Sequence, residues 1–142
     1  KIEDRKAAVV SDELPAVRVV PSQFRQLFQN LISNSLKFSR EGVPPRIEVT
    51  HQYLTEKQGE KFGLGKATGY LRLDVTDNGI GFDNQFANKI FTIFQRLHGK
   101  TEYEGTGIGL AICKKIAENH GGTITANGTI NQGSTFTIII PV

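Results

Sequence analysis

The stretch from about Ser22 to Phe38 places Phe24, Leu27, Phe28, Leu31 and Ile32 at i, i+3, i+4, i+7 and i+8. At roughly 100° per residue these five side chains form one apolar stripe on a helix. Such a helix must bury its stripe against a second layer. Gly42 and the Pro44-Pro45 pair stop it. Arg46–Leu54 and Tyr70–Thr76 alternate or cluster β-formers and read as strands, as do Thr123–Ala126 and Thr135–Val142. The last two are joined through Asn127-Gly128 and Gln132-Gly133. Ala7–Val10 and Val17–Val20, closed by Pro21, read as one or two short strands with a turn at Pro15. A short helix is predicted from about Asn84 to Phe91, and a third from about Gly107 to His120, ended by Gly121-Gly122. Thr55–Gly69 is polar and Gly-rich and reads as a long, mobile hairpin loop with no chemistry of its own. Gln95–Thr106 shows no period. Strands and helices mixed, with a hairpin finish, predict an α/β fold in which helices cover one face of a mixed sheet.

Composition removes several classes. A chain of 142 residues fits one domain and buries roughly 70% of its unfolded surface without a staple. The lone Cys113 closes no internal disulfide. No apolar run nears the ~18 residues of a membrane span, and no charged-then-apolar leader opens the chain. The net charge of +3 is spread along the sequence, which favours an anionic ligand slightly and gives no nucleic-acid footprint. No His, Cys or carboxylate pair has zinc-site spacing. There is no Met, so the expected source is a processed protein or, the favoured reading, a piece of a longer one.

Glycine is the compositional outlier, 15 of 142 residues, so its placement carries information. Gly65-Lys66 is followed by Ala67 and residue 60 is Glu, which fails the G-x-x-x-x-G-K-[ST] loop. G-x-G-x-x-G fails from Gly105, which ends on Leu110, and from Gly107, which ends on Ile112. What exists is Gly105-Thr106-Gly107-Ile108-Gly109, running into a helix. It reads either as a flexible lead into that helix or as a backbone cradle for phosphate at a helix N-terminus. On the first helix Asn30, Asn34 and Lys37 fall within about 60° of one another, well off the apolar stripe. They read as a solvated face or, because Asn is a poor helix former, as a functional strip. An amide oxygen suits Mg²⁺ and a lysine suits phosphate. Asp77-Asn78-Gly79-Ile80-Gly81 closes a strand either as a plain turn or around a carboxylate that accepts from the adenine amino group and repels the guanine carbonyl.

Together and in order, these segments resemble the ATP-binding catalytic domain of bacterial sensor histidine kinases. The matching residues are Phe28-Gln29-Asn30-Leu31-Ile32-Ser33-Asn34-Ser35-Leu36-Lys37-Phe38 for the N box and Asp77-Asn78-Gly79-Ile80-Gly81-Phe82 for the first Gly box. Ile90-Phe91-Thr92-Ile93-Phe94-Gln95-Arg96 matches the F box, Gly105 to Leu110 the second Gly box and Gly133-Ser134-Thr135-Phe136 the last. The resemblance spans roughly residues 20–142 and implies the Bergerat fold, a two-layer α/β sandwich of a mixed sheet covered on one face by about three helices. It implies ATP and Mg²⁺ as ligands. Asp77, with Gly79 and Gly81, would read adenine, and Thr135 would assist through a shared water. Asn30 and Asn34 would form the metal and phosphate pair. Lys37 and Arg96 would touch phosphate oxygens. Phe94 would anchor a mobile lid, residues 95–106, hinged by Gly105, Gly107 and Gly109, with Thr106 between them. For Phe91 a core role is expected instead. The chain departs from the family where an Asp-Pro pair is usual: Val20-Pro21 stands there, with Ser22 as the substitute cap.

Gyrase-type ATPases of the same fold carry a water-activating Glu at the position matching Asn30. An amide has no basic lone pair at neutral pH, which shifts the expectation from hydrolysis to transfer onto an external nucleophile, a histidine in this family. His51, His98 and His120 do not sit in the Ser/His-Glu-Leu-Arg-Thr-Pro helix that the family uses as acceptor. The expectation is therefore an excised catalytic module of a cytoplasmic kinase region, its parent a homodimer and itself membrane-anchored or not. Its partners would be the parent's dimerisation and phosphoacceptor helices and a response-regulator receiver domain, with no contact to nucleic acid or membrane. A non-catalytic nucleotide-binding module, a gyrase-type hydrolase and an anti-sigma-factor serine kinase remain the alternatives. Cys113 is expected to be packing, and Asn127-Gly128-Thr129 a turn.

Overall fold

The apolar stripe is buried as its spacing requires. In the computed structural model α1 spans Pro21–Lys37 and sinks Phe24, Leu27 and Leu31 into the core. The structure describes residues 8–11, 19–64, 67, 69–87, 90–91 and 107–142. The helix starts one residue earlier than expected, with Pro21 in its first turn, where a missing N–H is harmless. Ser22 lies inside the helix, and Val20, at the cap position, offers no side-chain cap. Instead the Val20 N–H donates to His120 Nε2 at 3.0 Å.

Five strands form one sheet: β1 (Ala8–Ser11), β2 (Arg46–Thr55), β3 (Gly69–Asp77), β4 (Thr123–Thr129) and β5 (Gly133–Pro141), in the order β1-β2-β3-β5-β4. β1 runs parallel to β2 and every other pair is antiparallel, so the sheet is mixed. Alternation decides the faces. Leu71, Leu73 and Val75 of β3 are buried toward α1, whereas Arg72, Asp74 and Thr76 between them are not. Phe136, Ile138 and Ile140 of β5 continue the same buried face. The last long helix, Gly107–Asn119, adds Leu110, Cys113, Ile116 and Ala117 to that layer. Ile90 and Phe91 are helical and buried beside it. Among the described residues no helix is long and apolar enough to cross a membrane.

Two local expectations change. Thr55–Gly69, over its described residues, is a folded cover. Thr55 caps a short helix α2 (Glu56–Gly59), its Oγ1 accepting from Gln58 N–H while Gln58 Oε1 accepts from Thr55 N–H. A 3₁₀ turn, Glu60–Phe62, follows. Phe62, Leu64 and Ala67 then pack on Leu54, Tyr70 and Ile139, a second apolar cluster on the sheet face turned away from α1. The three anchors are scattered over three strands, so no periodicity in the loop announces them. The second change is that β4 runs through Asn127-Gly128 to Thr129, and the hairpin turns at Ile130–Gln132. The long helix Gly107–Asn119 is called α3 below.

Candidate functional site

α1 and β3 end at the same edge of the molecule, because the Ile80 N–H donates to Phe38 O at 2.9 Å. There the carboxylate of Asp77 is held on both sides. Oδ1 accepts from the Gly79 N–H at 2.9 Å and Oδ2 from Ser35 Oγ at 2.9 Å. Burial raises its pKa above the ordinary carboxylate value of 3.8, opposed by hydrogen bonds from Gly79, Ser35 and the Ser134 backbone. The group faces a narrow pocket lined by Asn34, Phe38, Asp77, Ile80, Gly81, Phe82, Ser134 and Phe136. The walls combine four apolar side chains, Phe38, Ile80, Phe82 and Phe136, with one carboxylate, one amide and one hydroxyl. That suits a flat heteroaromatic ring carrying an exocyclic N–H donor.

Asn34 lies one helical turn before Phe38 on α1. It is 6% exposed, and its Oδ1 has no hydrogen-bond partner among the described residues. An acceptor stranded in this way costs about 1–3 kcal/mol in the empty protein. A hard cation or its water would satisfy it, which is the donor chemistry Mg²⁺ takes. No group of three His, Cys, Asp or Glu side chains offers a cation site elsewhere among the described residues. One turn further back, Asn30 Nδ2 donates to Gly109 O over a long 3.4 Å. This contact sets the first described turn of α3 against α1. Asn30 is half-buried and Lys37 is exposed in the last turn of α1. The strip therefore grades from a buried member to a solvated one and is not a uniform solvated face.

The sequence-predicted residues divide clearly. Asn34, Asp77 and Gly81 line the pocket; Asn30 is not in its lining and meets Gly109 at the α1–α3 contact, with Gly107 in the same turn of α3. Gly79 acts through its N–H on Asp77 and could not bear a side chain, since a Cβ there would stand 2.5 Å from Phe38 O. Gly81 has φ of 65° and a Cβ would fall 2.0 Å from Thr129 O, so only glycine fits. Phe91 packs edge-on to Phe136 at 6.2 Å, in the core as expected. Phe94, Arg96, Gly105 and Thr106, with the whole 95–106 segment, lie outside the described residues.

Thr135 shares with Asp77 and Ser134 the lining of a second, more open pocket. It stands opposite Thr76 across β3 and β5, and their hydroxyls meet at 3.1 Å on the sheet face away from α1. The pleat puts its neighbour Ser134 on the Asp77 side, in the cavity wall. Ser35 was also missed. Its 2% exposure and its bond to Asp77 make it part of the site. Strand alternation around Phe136 is the signal for Ser134. For Ser35 it is adjacency to Asn34. Cys113 is buried, its thiol pushed up to about 12 mainly by desolvation, so it is packing and no nucleophile. His120 is occupied at both ring nitrogens, by Val20 N–H and by Ile116 O at 2.8 Å.

An α/β sandwich that sets a strand-end carboxylate beside a buried amide oxygen without a partner among the described residues presents a candidate binding pocket. The comparisons name its kind. The family described as histidine kinase-, DNA gyrase B-, and HSP90-like ATPase matches residues 19–142, and the chain belongs to it. It is 43% identical over its full length to Cyanobacterial phytochrome A of Nostoc sp. (strain PCC 7120 / SAG 25.82 / UTEX 2576) and 42% identical to the phytochrome-like protein Cph1 of Synechocystis sp. (strain ATCC 27184 / PCC 6803 / Kazusa). The chain spans 17% of the length of each. Among solved structures, the catalytic domain of histidine kinase ThkA superposes with a TM-score of 0.70 at 26% identity, covering 99% of this chain and 82% of that one. Full-length ShkA in complex with AMPPNP has the same fold, with a TM-score of 0.72 at 22% identity, covering 99% and 26%. The chain is thus an ATP-binding domain of the histidine-kinase catalytic type.

Proposed function

We propose that this domain binds Mg-ATP and donates the γ-phosphoryl group to a histidine on a helical dimerisation segment of a longer sensor kinase. The observation that carries the reading is the pairing, in one cavity, of the doubly held Asp77 carboxylate with the unpartnered Asn34 Oδ1. Asp77 accepts from the adenine amino group, with Ser134 beside it. Asn30 and Asn34 hold Mg²⁺ and phosphate, which would neutralise charge on the transferring group. The first N–H groups of α3 at Gly107 and Gly109, with Gly105 and Thr106 before them, face phosphate oxygens. Lys37 and Arg96 add positive charge there, and Phe94 anchors the 95–106 lid, whose closure excludes water.

Transfer is favoured over hydrolysis by the chemistry of Asn30. Its amide nitrogen donates to Gly109 O, and an amide cannot take a proton from water at neutral pH. An imidazole acceptor needs no such base. It needs placement in line with the leaving oxygen and a charge-neutral surrounding. His120 does not serve, because both of its nitrogens are committed to backbone groups. The acceptor is therefore assigned to another segment. A cytoplasmic setting, a homodimeric parent and a receiver domain that takes the phosphoryl group onward complete the proposal.

The test is reconstitution. The domain is mixed with the parent's helical segment and radiolabelled Mg-ATP, and the product is examined for acid-labile, base-stable phosphate. Label on the helical segment that disappears when its histidine is replaced supports transfer. Rapid phosphate release with no phosphoprotein indicates a hydrolase, and tight ATP binding with neither product indicates a binding module.

A further inference from the structure

The turn that aims Asp77 is tied to the chain leaving α1 through Asn78. The Asn78 N–H donates to Arg46 O at 3.3 Å. Its side-chain Oδ1 accepts from the Arg46 N–H at 2.8 Å, and its Nδ2 donates to Pro44 O at 3.2 Å. Its carbonyl accepts from Arg40 Nε at 2.8 Å. One residue on, the Ile80 N–H donates to Phe38 O at 2.9 Å. Every hydrogen-bonding group of Asn78 is thus spent on the segment from Arg40 to Arg46, and none on the cavity. Neither Arg40 nor Asn78 lines that cavity.

The consequence lies in how Asp77 is oriented. Its Oδ1 is fixed by the Gly79 N–H, so the carboxylate points where the turn's backbone directs it. That backbone is fixed on one side by β3 and on the other by the Asn78 contacts. Arg40 supplies the one charge-assisted bond in the set, from a half-buried guanidinium to a carbonyl.

We propose that Arg40 and Asn78 are positioning residues for base selection. Without touching the nucleotide, they hold the Asp77–Ile80 turn so that the carboxylate meets an exocyclic amino group, and they thereby set the preference for a 6-aminopurine over a 6-oxopurine. The proposal rests on the nucleotide reading given above and extends it to residues outside the cavity.

The test compares dissociation constants of three probes, ATP, GTP and inorganic tripolyphosphate, each with Mg²⁺, for the wild-type domain, Arg40→Met and Asn78→Ala. Arg40→Met keeps the apolar stem and removes only the guanidinium, so it is the variant most certain to fold. The expected result is an ATP-to-GTP affinity ratio lowered about five-fold in Arg40→Met, the size of one lost hydrogen bond, with tripolyphosphate affinity unchanged. In an Asp77→Asn background the same substitution should leave the ratio where it is, because the group it positions is gone. A merely structural role would weaken all three probes alike and move the melting temperature while leaving the ratio intact, and that result overturns the proposal. An unaltered ratio in a folded Arg40→Met protein overturns it too. A wild-type protein that does not distinguish ATP from GTP overturns the nucleotide reading itself, and the wild-type titration shows this before any variant is compared.

Discussion

Replacing Asp77 by Asn exchanges one oxygen for an NH₂ group and leaves the shape of the site alone. In the wild type Oδ1 accepts from Gly79 N–H and Oδ2 from Ser35 Oγ, both at 2.9 Å. In the variant the amide oxygen keeps the Gly79 bond. The new Nδ2 donates to Ser35, whose hydroxyl rotates to accept. The bonds to Gly79 and Ser35 survive, leaving at most the Ser134 backbone bond to be lost, so the fold should survive too. What changes is the face turned to the ligand. A second Nδ2 hydrogen now meets the adenine amino group, donor against donor. One such unmet buried contact costs about 1–3 kcal/mol, or roughly 5- to 150-fold in Kd. The guanine carbonyl accepts from the same hydrogen, so GTP affinity should rise. Isothermal titration of ATP and GTP with and without Mg²⁺, alongside a thermal melt, measures all of it. The expected outcome is an ATP preference that largely vanishes, in a protein at least as stable as the wild type because no buried charge remains. A folded Asn variant with wild-type ATP affinity and an unchanged ATP-to-GTP ratio would refute the adenine assignment.

Asn34→Ala should reduce Mg²⁺-dependent ATP affinity at least ten-fold, yet hold the melting temperature of the ligand-free protein within about 3 °C, since the amide oxygen it removes is unpartnered there. For Asp77, a raised pKa means that the folded state favours the protonated acid: the stability tied to that proton is fully present below the unfolded value of 3.8 and is lost as pH rises through the folded pKa. ATP binding runs the other way and should weaken as pH falls through that same folded pKa, a dependence that titrations stepped downward from neutral pH would show in the wild type and that Asp77→Asn should lack. Gly81→Ala must place a Cβ 2.0 Å from Thr129 O at a φ of 65°; left-handed strain of roughly 1–2 kcal/mol plus backbone displacement should lower the melting temperature by about 10 °C, read by calorimetry.

Much of this was legible in the chain because local rules and tertiary structure agree. The five-residue stripe of α1, the alternation of β3 and the glycine stop after α3 each state a period that packing then uses. The Asn34 and Asp77 positions were legible because each breaks a local preference, one as a poor helix former in mid-helix and one as a carboxylate at the end of a β-rich run. What was missed is of another kind. Thr135 and Ser134 are adjacent hydroxyls, and only the sheet register, with Asp77 opposite Ser134, decides which one enters the narrow pocket. The cover over Tyr70 was invisible because Leu54, Tyr70 and Ile139 come from three strands whose neighbours the sequence does not state. Gly59 marks the spot only afterwards: a Cβ there would sit 2.0 Å from the Tyr70 ring.

On the proposed reading, the contacts of α1 also fix which way round a nucleotide would lie. Ser35 holds the carboxylate end of the cleft, whereas Asn30 meets α3 at Gly109. Five residues separate them, about 7.5 Å along the helix axis. At the Ser35 end the surroundings are Phe38, Ile80, Phe82 and Phe136, an apolar setting for a base. At the Asn30 end lies the first described turn of α3, and a helix N-terminus is a setting for an anion. Asn34 lies between, its free oxygen on the strip that joins the two ends. A ligand that is flat and apolar at one end and polyanionic at the other, with a metal held near the anionic part, has one orientation that satisfies both ends at once. In that proposal the single helix does more than bury a stripe: one face closes the core, and the adjacent strip would set the distance from base to phosphate.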